Sequence, residues 1–143
     1  MDRPEDREIR EEVWISMIEH ARREAPLECC GLLTGRGRLV DAIIHCTNEL
    51  GSPDAFSIPP RELFAAFRRI RESERILLGI YHSHPNGDAT PSRRDFEEFH
   101  YGGVDCWIVA LQEGAPVIRC FSWTARGFIE AEYALAGKGR TRP

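Results

Sequence analysis

A single α/β or α+β domain, built as one mixed β-sheet flanked by helices, is the fold class that three features of the sequence predict. The chain has 143 residues, enough for one core and too few for two ordinary domains. Two segments repeat apolar residues at helical spacing, and six short apolar runs bounded by Gly, Pro or Asn read as strands. Helical and strand segments are interspersed, and no repeat or low-complexity linker divides them. The domain is expected over residues 1–136, with a disordered tail at 137–143.

Taken in order, the first helix follows a densely charged lead. Trp14, Met17, Ile18, Ala21 and Ala25 recur at helical spacing until Pro26 interrupts. "ECCGLLTG" reads as a buried strand, and "RLVDAIIHC" as a second strand after a turn at Arg36 and Gly37. "LGSPDAFSIPP" is a loop with room for a short strand at its end. Pro60 suits the first position of a second helix, whose apolar face is expected to be Leu63, Phe64, Phe67 and Ile70. "ILLGIYHSH" is apolar in its first six residues, as a central strand covered on both faces would be. A short helix at "SRRDFEEFH", a buried strand at "CWIVALQ", and two strands, "PVIRCFSW" and "GFIEAEYAL", joined by a turn at "TARG" complete the reading.

Composition narrows the function. The chain is 42% hydrophobic and 29% charged with a net charge of −4, which suits a soluble protein with neither nucleic acid nor membrane as partner. Its N-terminal "MDRPEDREIREE" is charged where a signal peptide needs an apolar core, so a cytoplasmic protein is expected. Cys29, Cys30, Cys46, Cys106 and Cys120 are odd in number and form no C-x-x-C pair, which favours buried, reduced thiols.

One stretch carries chemistry. Side chains alternate across a strand, so His82 and His84 point the same way and Ser83 the other. Asn86-Gly87 turns the chain, and the loop to Ser92 can return the next helix to those rings. Asp95, on that helix's first turn, can supply a third ligand. Two imidazoles and a carboxylate leave the fourth corner of a zinc tetrahedron for water, the arrangement of a hydrolytic site. The H-E-x-x-H helix of another metalloprotease class is absent. Plainer readings stand beside this one. H-x-H pairs arise by chance, and Ser92 with Asp95 three residues on is also a helix-capping pattern. His20, His45 and His100 have no partner at ligand spacing and suit core or surface roles, and Asp88 needs only a turn. Glu28 opens an apolar run, where a carboxylate either faces solvent or has a task.

Together, "PLECCGLLTG" and "HSHPNGDATPSRRD" resemble the JAMM (MPN+) zinc metalloprotease family, in its short prokaryotic form. That family's signature is an upstream glutamate, H-x-H-P, a spacer and S-x-x-D. Asn48, "FSIPP" and "LLGIYHSH" extend the likeness to roughly residues 8–122. The resemblance implies an MPN/JAMM fold, itself similar to the cytidine deaminases. It implies one Zn²⁺ per chain on His82, His84 and Asp95, with Glu28 as catalytic base and Ser92 stabilising the oxyanion. It also implies a peptidase or isopeptidase cutting after the C-terminal Gly-Gly of a ubiquitin-like or sulfur-carrier protein. A deaminase would need H-x-E with P-C-x-x-C, which the chain lacks. A RadC-like relative shares H-x-H-P but sits less well with "PLECCGLLTG". A non-catalytic scaffold of the same fold is the remaining alternative, and the sequence leaves room for a homodimer.

Overall fold

The computed structural model describes residues 7–99, 103–112 and 115–137. In chain order the elements are β1 (Arg7–Arg10), α1 (Glu11–Glu24), β2 (Cys30–Arg36), β3 (Leu39–Cys46), α2 (Pro60–Glu72), β4 (Ile76–His84), α3 (Arg93–Glu98), β5 (Asp105–Ala110), β6 (Val117–Thr124), β7 (Gly127–Ala131) and β8 (Tyr133–Ala136). The strands form one mixed sheet in the order β7-β6-β5-β4-β2-β3-β1-β8. The α+β class and the mixed sheet are as the sequence led us to expect. No helix among the described residues is long and apolar enough to cross a membrane.

β7 and β8 follow one another in the chain with only Glu132 between them, yet they stand at opposite ends of the strand order. The sheet therefore curls until its ends meet. Arg7 on β1 bonds Asp105 on β5 at 2.6 Å and Ser122 on β6 at 2.8 Å, tying the two ends together. The Tyr133 hydroxyl on β8 donates to the Ile118 carbonyl at 2.7 Å and accepts from the Trp14 indole at 3.1 Å.

The sheet has two covered faces. On one, α1 buries Val13, Met17, Ile18 and Ala21 against Leu33, Tyr81, Trp107 and Val109. Each such large aliphatic side chain is worth about 1.5–3 kcal/mol in removal from water. Glu11 and Glu12 in the first turn and Arg22 and Arg23 in the last complement the helix dipole. On the other face, Leu63, Ala66 and Ile70 of α2 and Phe99 after α3 pack over Cys30, Leu32, Ile80 and Ile108. β4 lies between them, its residues from Gly79 to Ser83 buried.

Five expectations need correction. β1 was not foreseen, because a strand of four residues with Ile9 as its single buried side chain has no pattern to read. No strand forms near Ile58; that segment is held by side-chain hydrogen bonds described below. "GFIEAEYAL" is two strands, since the chain leaves one sheet edge at Ala131 and joins the other at Tyr133. Ala25 lies past the end of α1 and is exposed. Phe64 and Phe67 of α2 are 70% and 38% exposed, because the helix turns its Leu63–Ala66–Ile70 stripe to the sheet instead. All five cysteines are buried and unpaired, as expected for reduced thiols. His100 lies outside the described residues, as do positions 138–143 of the expected tail.

Candidate metal centre

β-sheet register builds the site. Cys30 pairs with His82, and the ladder continues beyond β2, with the Ser83 amide donating to the Cys29 carbonyl at 3.1 Å. The Ser83 hydroxyl, on the far face, accepts from the Cys29 amide at 2.8 Å and holds the two segments together there. Continuing one step, Glu28 stands opposite His84 and on the same face as both histidines. Cys29, Tyr81 and Ser83 face α1, while Glu28, His82 and His84 face the opposite layer.

There the three candidate ligands converge. His82 Nε2 and His84 Nε2 are 3.1 Å apart, and each is 3.1 Å from an oxygen of Asp95. Zinc bonds of about 2.0–2.1 Å at tetrahedral angles would place their ligand atoms about 3.3 Å apart, so the set fits a small tetrahedral cation. His84 Nδ1 lies 2.8 Å from the Asp88 carbonyl. A carbonyl can only accept, so Nδ1–H donates to it and the Nε2 lone pair is left free to ligate. The His82 ring stacks on Phe56 at 4.8 Å between centroids. His82 is 2% exposed.

Asp95 is delivered by α3. Its backbone amide donates to the Ser92 hydroxyl at 3.0 Å, and its carboxylate accepts from the Ser92 amide at 2.8 Å, a complete capping box. The capping role weighed in the sequence therefore holds, and the Ser92 hydroxyl keeps its own proton to donate. Burial works against the Asp95 charge, yet the hydrogen bonds from His82 and His84 hold the carboxyl well below the usual range. Burial likewise opposes charge on His84, but Asp95 and the Asp88 carbonyl raise its pKa overall.

Glu28 is 4% exposed, and its Oε1 has no hydrogen-bond partner among the described residues. Burial pushes this carboxyl up to about 8; the nearby His84 opposes the shift and Asp95 adds to it. A buried carboxyl with one unpartnered oxygen beside converging ligands is a polar group that packing alone does not explain.

Asn48 organises the adjoining loop. Its amide nitrogen donates to the carbonyls of Glu28 and Ala55 at 3.0 and 2.9 Å, and its oxygen accepts from the amides of Leu50 and Ser57. Phe56 and Ile58 are thereby held as one wall of a cleft of about 450 Å³, which His82, Asp95, Arg94, Ile80 and Phe99 also line. Sequence reasoning noted Asn48 and the segment beginning at Phe56 only as family-like positions, and missed the roles of Ser83 and the Asp88 carbonyl. A backbone carbonyl leaves no trace in residue identity, and the stacking of Phe56 on His82 joins segments more than twenty residues apart.

The chain is similar to several known proteins. The family model described as prokaryotic homologs of the JAB domain matches residues 10–125. A desampylase of Haloferax volcanii is 30% identical over 127 residues, covering 84% of this chain and 89% of that protein. A probable TtuB-protein conjugate cleaving protease of Thermus thermophilus is 44% identical over 80 residues, covering 55% of this chain and spanning about half (53%) of that relative's length. A solution structure from Desulfitobacterium hafniense superposes with a TM-score of 0.85 at 32% identity, covering 92% of this chain and 93% of that one. A JAB1/MPN domain protein from Archaeoglobus fulgidus shares the fold with a TM-score of 0.62 at 20% identity, covering 91% and 97%.

Proposed function

The chain belongs to the family of prokaryotic homologs of the JAB domain, and from that premise we propose that it is a zinc-dependent peptidase or isopeptidase of the cytoplasm. Its substrate is a ubiquitin-like or sulfur-carrier protein, cut after a C-terminal Gly-Gly. The observation that carries this reading is the convergence of His82, His84 and Asp95 within 4.8 Å of one another, faced by the buried carboxyl of Glu28. Two relatives named for cleaving protein conjugates and for desampylase activity support the substrate class.

Zinc held by these three side chains would supply a Lewis acid and a more acidic water. The protein's own groups do the rest. Glu28 accepts a proton from the attacking water and returns it to the leaving amine, a transfer its unpaired Oε1 is free to make. Ser92 directs its hydroxyl proton toward the developing oxyanion. The Asp88 carbonyl and Phe56 hold the two imidazoles in place. Glycines at the scissile end bring the substrate backbone close to the site, because no side chain holds it away.

The test uses TtuB and ubiquitin, each fused through its C-terminus to a short reporter peptide. Zinc-loaded protein should release the reporter from at least one fusion, chelation should stop it, and changing the last glycine to valine should sharply reduce it. Cleavage of unstructured peptides at equal rates, or no cleavage of either fusion, would exclude the assignment.

A further inference from the structure

The outer side of α2 carries a feature that neither the core nor the metal site uses. Phe64, Phe67, Arg68 and Arg71 follow i, i+3, i+4 and i+7 and so form one stripe, and Arg61, three residues before Phe64, extends it by one turn. Phe64 is 70% exposed and Phe67 38%. The stripe holds three arginines and no carboxylate, in a chain whose net charge is −4. Of the two glutamates on α2, Glu62 is turned to the Thr47 amide at 2.5 Å, and Glu72 makes only a loose 3.8 Å pair with Arg68. Two bared phenylalanines inside a local cationic field mark a docking face rather than a solvated helix side.

Its position is set by the cleft. The wall made by Phe56 and Ile58 runs through Pro59 directly into the first turn of α2, and Leu50 on the cleft rim is 47% exposed. Phe64 lies four residues, about 6 Å along the axis, beyond Pro60. A protein whose tail enters the cleft would therefore rest its body on this stripe. A second copy of the chain is a poor occupant, since a two-fold contact through this face would set arginine against arginine.

We infer that the Phe64–Phe67 stripe with Arg61, Arg68 and Arg71 docks the folded body of the carrier substrate, through an apolar patch bordered by carboxylates. This rests on the proposed function for its choice of occupant. The cleft would then read the tail and α2 the folded domain, which is how one short enzyme could refuse unstructured peptides with the same ending.

Binding and turnover test it separately. Labelled TtuB is titrated into zinc-loaded Glu28→Gln protein, alone and with Phe64→Ala or Arg68→Glu added. Each addition should weaken the Kd about tenfold, and rising salt should weaken binding to the unaltered stripe. In turnover, the same changes in the Glu28 protein should raise KM for the TtuB fusion about tenfold and leave kcat within about twofold, while a peptide of the last eight TtuB residues with the same reporter shows no KM change. Unchanged affinity for TtuB, equal losses on fusion and peptide, or a dimer in sedimentation that Phe64→Ala dissolves would each overturn the docking assignment. TtuB binding that depends on Phe64 without any cleavage would keep the docking face and remove the proposed reaction.

Discussion

Each face of the sheet carries a pair of neighbouring histidines, one buried (His82, His20) and one more open to solvent (His84, His45), and the two pairs are arranged in opposite ways. Beside β4 on one face, the Nε2 atoms of His82 and His84 converge on Asp95. On the α1 face, His20 stacks flat on His45 at 4.2 Å and spends its Nδ1 on the Tyr81 hydroxyl at 2.7 Å. His45 in turn meets Ser16 at 3.0 Å and Arg23 at 3.4 Å. Gly31 leaves room for the Tyr81 hydroxyl that His20 meets, because a Cβ there would fall 2.5 Å from it. The charged neighbour decides the outcome. A carboxylate raises the pKa of His84 despite burial, whereas burial, His45 and Arg23 push His20 down to about 4. Two histidines close together are therefore not a metal site until their lone pairs converge and an anion balances the ion.

Removing the anion is the strongest way to break the contrast. Asp95→Ala should reduce zinc from about one per chain to background in elemental analysis, and abolish turnover with it, leaving a bare histidine pair like that on the α1 face. Glu28→Gln sharpens the distinction between holding an ion and using it. Zinc content and melting temperature should be retained, while turnover falls by roughly 10²–10⁴-fold; near-normal activity would remove Glu28 from the reaction. Ser92→Ala should cost about 10²–10³-fold in turnover if its hydroxyl stabilises the oxyanion, together with about 1 kcal/mol from the lost cap. A stability loss without a turnover loss would leave it a cap alone.

The smallest effect belongs to the other pair. With a folded pKa of about 4 for His20 against the ordinary 6.5, the unfolded chain binds more protons between these values. Stability therefore rises with pH across that window, and is lost as pH falls from 6.5 toward 4. His20→Gln should flatten this slope in urea titrations by no more than about 3 kcal/mol over the window, with zinc content unchanged. A variant that kept the full slope would place the acid sensitivity elsewhere.

How much of this was legible depends on the range of the interaction. The α1 stripe, the β2 to β6 strands and the H-x-H spacing are local patterns, readable because helix and strand periods map sequence offsets onto faces. The contact face of α2 was misread because Leu63 and Phe64 are equally apolar to a pattern, and only the anchored Glu62 and the shape of the sheet below choose between them. β1 and the break at Glu132 were invisible for a related reason, since each exists only once the sheet curls far enough for its ends to share Arg7 and Tyr133.

By itself the sequence determined which side chains could take part in the chemistry and which face of β4 they shared. His82, His84 and Asp95 were candidates from residue type and spacing, and the alternation of a strand separates them from Tyr81 and Ser83. Tertiary structure decided the rest. The pairing of Cys30 with His82 carries Glu28 across to His84, over more than fifty residues of chain. The Asp88 carbonyl then frees one nitrogen of His84, and Asn48 ties the Glu28 backbone to the cleft wall. These are register, tautomer and burial, properties that arise between segments, so no stretch of residues read alone contains them.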